Sequence, residues 1–339
     1  MKKLTSKEDL LNLLTASVPS LALGAAIETG LLEMLAEKPM SGEEVSRAMN
    51  IPGKRGYYWL QFLAELGILD IDQQGYGTSS LARNAILDVE DFRRLRIQHS
   101  IADERDLLAG VRNLALYMSE LSIWKAQGLR EPKGYVEKMN DNPERAYSFA
   151  RLLYNVHQNL GNVLARFLDL TNVHTLMDVG GGSGVVAMAL ARKYPGLSIT
   201  TVDIENVCNE GRVIVEENNL SDWITFHAAD FVRDELPKGF DFVLHCDVGV
   251  YDVEHFRKLL ASLKPEGRIA VIFHFPLLEN SAPVQFLEWA FLDSMKDPEF
   301  GFPTVSQLQD QLVQAGFKLS SEAPSILDGY DGFVIQAHK

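Results

Sequence analysis

The sequence predicts an α/β fold, in which a doubly wound parallel sheet fills the C-terminal half and a mainly helical domain precedes it. Three observations lead there. From residue 174 onward, short apolar stretches alternate with helix-like ones. The first of them runs into a glycine-rich turn, "MDVGGGSGVV". The first hundred residues instead carry helical spacing, with one turn-rich break near Gly75.

In "LALGAAIETGLLEMLAEKPM" the apolar residues recur at helical spacing, and the helix is predicted to end at Pro39. "SGEEVSRAMN" opens on Ser41 with Glu44 three residues later, a capping-box pattern. "KRGYYWLQFLAELGILDIDQQGYGTSS" then gives an amphipathic helix and a hairpin turning at Gln73–Gln74–Gly75. Helix, turn, helix and a two-stranded wing make a winged-helix arrangement, which in other contexts reads DNA. Here the second helix has Arg47 as its only base against Glu43 and Glu44, which favours a packing role.

Residues 101–170 are again helical in pattern. Beyond them "HTLMDVG", "LSITTVD", "ITFHAAD", "FDFVLHCD" and "GRIAVIFHF" read as strands. "VVAMALARKYP", "VCNEGRVIVEENN" and "HFRKLLASLKP" read as the helices between them. Ligands of such sheets sit at the carboxyl ends of the strands. Asp178, Asp203, Asp230, His245 and His274 all stand at strand ends.

Composition narrows the ligand. Of 339 residues 46% are hydrophobic and 23% charged, and the net charge is −14. Acidity of that size argues against nucleic acid, whose binding rests on Lys and Arg neutralising phosphates. No apolar run approaches the roughly 20 residues of a membrane span, and the N-terminus lacks the apolar core of a secretory signal. Cys208 and Cys246 are the only cysteines, and no residue set has metal-ligand spacing, so no metal is expected. The expectation is a cytoplasmic protein with a small ligand, binding neither nucleic acid nor membrane.

The glycine turn admits more than one occupant. A phosphate-binding loop is excluded, because no Gly-Lys-Ser/Thr follows. Gly182 to Ala187 fits G-x-G-x-x-A, and with Asp203 on a ribose that would be a dinucleotide site. The fuller description is an acid followed by alternating glycines: Asp178, then Gly180, Gly182 and Gly184. Glycines allow close backbone approach, and the next helix points its positive end at an anion, carboxylate or phosphate alike. Asp203 is placed to accept from a ribose diol; Asp230 and Phe231 of "AADF" are placed to meet an adenine.

"MDVGGGSG", "VDIENV" and "HAADF" at these spacings resemble the S-adenosylmethionine-dependent, Rossmann-like methyltransferases, and more narrowly their small-molecule O-methyltransferase branch. "ALGAAIETGLLEML…KRGYYWLQFLAELGILDIDQQGYGTSSLA" is similar to that branch's winged-helix dimerisation domain, and "QLVQAGFKL" to its closing helix. The resemblance implies three regions: a dimerisation domain over 1–100, linker and acceptor-pocket helices over 101–170, and a catalytic domain over 171–339. It implies S-adenosyl-L-methionine as cofactor, held by Asp178, Gly180, Gly182, Gly184, Asp203, Ile204, Asp230, Phe231 and His245. It also implies a homodimer and a small-molecule acceptor.

The family places a catalytic base in His-Asp-Trp after the fourth strand, flanked by glutamates. Counting back from "SLKPEG" assigns that position to His245; counting forward from Asp241 assigns it to Val250. Phe273 and then His274 stand where one glutamate is expected, and Phe302 and Pro303 near the other. His245 and His274 are the candidate bases. His157, Tyr154, Trp289 and Phe302 are candidates for the acceptor pocket, which the aromatic content makes apolar. The expected activity is methyl transfer to a small aromatic or polycyclic metabolite, at oxygen by family precedent. Alternatives are C- or N-methylation, a non-methylating reaction on the same scaffold, and a ligand-responsive DNA-binding protein.

Overall fold

The computed structural model describes residues 4–87, 128, 133–273, 302–328, 330 and 332–339. His274 and Trp289 lie outside the described residues. The chain divides into two compact units, Met1–Asp106 and Leu107–Lys339.

The first unit opens with α1 (Lys7–Thr15), capped at both Ser6 and Asp9, and α2 (Ser17–Glu28). The helix predicted to reach Pro39 is broken: Thr29 ends α2, and Gly30, at φ 72°, caps a separate helix, α3 (Leu31–Glu37). A left-handed φ is close to free only for glycine, so a helical apolar pattern continues across a chain that does not. In α4 (Gly42–Ala48) Ser41 and Glu44 form the expected reciprocal cap. After α5 (Gly53–Glu65), β1 (Leu69–Asp72) and β2 (Gly75–Thr78) pair as an antiparallel hairpin around Gln73–Gln74, forming the wing. Leu31, Leu32, Leu35, Leu60 and Leu63 build its core, each worth roughly 1.5–3 kcal/mol of burial. Among the described residues no single helix is long and apolar enough to cross a membrane.

The second unit begins with α6 (Tyr135–Asp141), α7 (Pro143–Val156) and α8 (Gln158–Phe167). The alternating pattern then appears as predicted: β3 (Thr175–Val179), α9 (Val185–Lys193), β4 (Ser198–Asp203), α10 (Glu205–Glu217), β5 (Ile224–Ala228), β6 (Phe240–Cys246) and α11 (Val253–Ser262). β7 (Leu263–Phe273) starts earlier than expected, at the residues read as the end of the preceding helix. α12 (Val305–Ala315), β8 (Lys318–Leu319), β9 (Ser325–Ile326) and β10 (Phe333–His338) close the chain.

The strand order is β5-β4-β3-β6-β7-β10-β8. β5 to β7 are parallel, and β10 pairs antiparallel with β7. The chain leaves β3 to one side and returns to its other side at β6, so order reverses between them. A crevice at the carboxyl ends of β3 and β6 follows from that reversal.

Register sorts the side chains onto two faces. Asp178 lies beside Thr201 of β4 and Leu244 of β6, so Asp178, Asp203, Leu244 and Cys246 share one face. That face packs on α8, α9 and α10. His245 lies beside Val179 and Val271, on the opposite face, which packs on α11 and α12.

Candidate active site

A cavity of about 400 Å³ opens at the reversal point. Its wall has three parts. The turn after β3 contributes Asp178 and Gly180 to Ser183; the turn after β6 contributes Cys246 to Gly249; and the helices contribute Tyr135, Phe149, Leu153, His157 and Leu160. Asp203, at the end of β4, and Phe231, after β5, complete the described wall with Val185 and Val186.

The glycine turn is shaped by crowding. Gly180 has φ 66°, and a Cβ there would stand 3.1 Å from both methyls of Val248. A Cβ on Gly181 would lie 2.4 Å from Asp178 Oδ2 and 2.7 Å from Thr201 Cγ2. Only a bare backbone passes between them. Gly182 donates its N–H to Asp203 Oδ2 at 3.0 Å, while Ile204 N–H reaches Asp203 Oδ1 at 2.8 Å.

These two carboxylates set the electrostatics. Asp178 is buried, and its Oδ2 has no hydrogen-bond partner among the described residues; the same holds for Ser183 Oγ. Burial first, and then the neighbouring Asp203 charge, raise the Asp178 pKa to about 7. Burial also raises Asp203 to about 6, against the opposing pull of its two backbone N–H groups. Neither acid is paired with a cation among the described ion pairs. The wall therefore wants a ligand that brings positive charge and hydrogen-bond donors.

The predicted site residues fall into two groups. Asp178, Gly180, Gly182, Asp203, Phe231 and His157 line the one cavity. The others have different surroundings. Gly184 caps α9 and abuts Phe226 and Val215. Ile204 is buried against Met139, Ala146 and Ala150. Asp230 turns to Val232 N–H at 3.1 Å and to Arg233, away from the wall. Tyr154, expected in the acceptor pocket, instead packs on the core, with its hydroxyl against Asn218. Phe302 packs on the core of the opposite face.

His245 differs most from its expected role. Its ring is completely buried on the far face and lines no part of the cavity. Nε2 donates to Val250 O at 3.0 Å. Burial, with the neighbouring His255, lowers its pKa to about 3. A sealed imidazole that resists protonation does not fit a base exchanging protons with an acceptor.

The sequence reading missed Tyr135, Phe149, Leu153, Val248 and Gly249 as wall residues. Tyr135 and Phe149 form an edge-to-face pair, ring centroids 5.7 Å apart, from two helices joined at Asn142–Pro143. Nothing local signals that meeting. Gly249, at φ 79°, and Asp247, at φ 49°, mark a tight turn, and only "DVG" hinted at it.

Comparison with known proteins agrees with this geometry. Residues 119–285 match the family model of the O-methyltransferase domain. The chain is 24% identical over 315 residues to the N,N-dimethyltransferase OxyT of Streptomyces rimosus, covering 91% of this chain and 90% of that protein. It is 28% identical over 264 residues to 3-hydroxy-5-methyl-1-naphthoate 3-O-methyltransferase of Streptomyces sahachiroi, covering 75% and 72%. Among solved structures, "PigF with SAH" superimposes with a TM-score of 0.77 at 19% identity, over 99% of this chain and all of that one.

The wall fits the cofactor this family uses. S-adenosylmethionine carries a sulfonium, an ammonium and a ribose diol, which answer two buried carboxylates and an orphaned Asp178 oxygen. A dinucleotide would instead set a doubly negative pyrophosphate beside those acids. The strand order, the glycine turn and the O-methyltransferase domain matched over residues 119–285 agree on one reading, an S-adenosylmethionine-dependent O-methyltransferase.

Proposed function

We propose that this enzyme methylates an oxygen of a small aromatic or polycyclic metabolite. The observation that carries the acceptor class is the apolar part of the cavity wall, formed by Tyr135, Phe149, Leu153, Leu160 and Val248. Flat apolar ligands gain most from such a wall. The naphthoate in the name of the Streptomyces sahachiroi relative is in keeping with this reading.

When bound, S-adenosylmethionine supplies an electrophilic methyl group on a sulfonium. The chain's own residues hold and orient it. We assign Asp203 to the ribose hydroxyls, Phe231 to the adenine face, and Gly180 and Gly182 to the amino-acid end. Asp178, ionised once a cation is near, supplies charge at that same end. His157 is assigned to the acceptor side of the cavity. Alignment of the two reactants supplies much of the rate in such a site.

A second reading is methylation at nitrogen or carbon. It is favoured by the placement of His245 on the far face of the sheet, and OxyT, by its name, is an N,N-dimethyltransferase. The homodimer and the cytoplasmic location belong to the same proposal. Leu10, Leu11, Leu13, Val18 and Leu21, between 51% and 74% exposed, support a second copy covering α1 and α2.

The test is incubation with methyl-¹³C-labelled S-adenosylmethionine and a panel of phenols, hydroxynaphthoates and aromatic amines. A mass gain of one methyl, placed on oxygen by NMR, is expected. Label on nitrogen or carbon would select the second reading. A product with any other mass change would overturn both.

A further inference from the structure

The wall segment Asp247–Gly249 is held from behind. At its start Asp247 N–H donates to Ile272 O at 3.0 Å. At its far end Val250 O accepts from His245 Nε2 at 3.0 Å. A carbonyl only accepts, so Nε2 carries the ring proton and Nδ1 does not. The ring is wedged among Tyr251 and His255, each with centroids 5.3 Å away, and Phe256 at 5.8 Å. Nδ1 has no hydrogen-bond partner among the described residues, so the ring's hydrogen bond there runs to Val250 O. Between these ties the segment runs through two left-handed residues, Asp247 and Gly249. At Gly249 that conformation is close to free, but at Asp247 it carries a cost and persists where the surroundings hold it. Val248, at the centre, presents both methyls to Gly180.

We propose that His245 is a positioning residue for the donor pocket: its Nε2–H bond to Val250 O fixes Asp247–Gly249 against the glycine turn before the donor binds. The inference rests on the reading of this cavity as the S-adenosylmethionine site. It assigns His245 no contact with reacting atoms. A wall ordered in advance spares the donor the entropy of ordering it, so the loss of the bond appears in donor affinity.

The experiment compares the full-length protein with His245→Phe and His245→Gln by hydrogen exchange and by calorimetry with S-adenosylmethionine. Phenylalanine keeps a ring but cannot donate; glutamine restores an N–H at similar reach. In His245→Phe, amides of 246–251 should exchange about tenfold faster while those of β3 and β4 keep their protection. Its dissociation constant should rise about tenfold. His245→Gln should recover both. Wild-type exchange at 246–251 in His245→Phe, or faster exchange spread over all core strands, would overturn the proposal. Should His245→Phe fail to fold, histidine ¹⁵N spectra of the wild type decide. A neutral ring with the proton on Nε2 from pH 5 to pH 8 is expected, and protonation in that range or a proton on Nδ1 would refute it. If the wild type does not bind S-adenosylmethionine, the donor reading fails, while the exchange result still decides whether His245 pins the segment.

Discussion

The turns after β3 and after β6 meet at one cavity and solve opposite problems. The turn after β3, with Asp203 at the end of β4 bonded to its Gly182 N–H, presents two buried carboxylates without a cationic partner among the described ion pairs. The turn after β6 presents Val248 and Gly249, with its polar support behind the sheet in His245. One side is built at the expense of the free protein's stability so that a cationic ligand completes it. The other is built for stability, so that the ligand meets a formed surface. Substitutions on the two sides should therefore change stability in opposite directions.

The largest expected effect is on the stable side. His245→Ala removes a packed ring and orphans the Val250 carbonyl, and should destabilise the fold by about 2–4 kcal/mol. Urea denaturation of the free protein measures it; an unchanged midpoint would break the comparison.

Asp178→Asn should act in the other direction. Because the Asp178 pKa is raised, the folded state retains a proton that the unfolded chain has released. The stabilisation this gives is complete below about pH 4 and is lost as pH rises through about 7. At pH 8 the amide should therefore stabilise the free protein by up to about 4 kcal/mol, and at pH 4 by almost nothing. Melting curves of both proteins at both pH values check this. Donor binding should weaken in the same variant.

The third effect is on the pH dependence of binding. A cationic donor favours ionised carboxylates, so it must displace the proton held by Asp178 at low pH. Affinity should be level above pH 8 and fall by about tenfold per unit once pH drops below 7, as long as one proton is displaced. Calorimetry in buffers of different ionisation enthalpy would show that proton directly. The smallest effect belongs to Val248→Ala, which trims the contact with Gly180. It should cost less than about 1 kcal/mol and change donor affinity about twofold to threefold.

Much of this was legible in the sequence. The alternation of strands and helices, the Ser41–Glu44 cap and the wing hairpin follow from local pattern and appear in the structure. So does the meeting of Asp178, Asp203 and Phe231 at one cavity, since each ends or follows a parallel strand. What stayed hidden depends on register and long-range packing. His245 and Cys246 are neighbours in sequence, and either could face the pocket. Pairing of β6 with β3 puts Cys246 on the face of Asp178 and turns His245 away. Tyr154 sits on a helix whose rotation only tertiary contacts define, and its hydroxyl meets Asn218. β10 pairs antiparallel from the far end of the chain, which short-range periodicity does not reveal.

The most direct test of the account is calorimetric titration of S-adenosylmethionine into the wild type and Asp203→Ala at pH 8, with NAD as a control. The account predicts saturable binding of S-adenosylmethionine that weakens at least about tenfold, or 1.4 kcal/mol, in the variant, and no binding of NAD. Equal affinity in the two proteins, or binding of NAD instead, would contradict it.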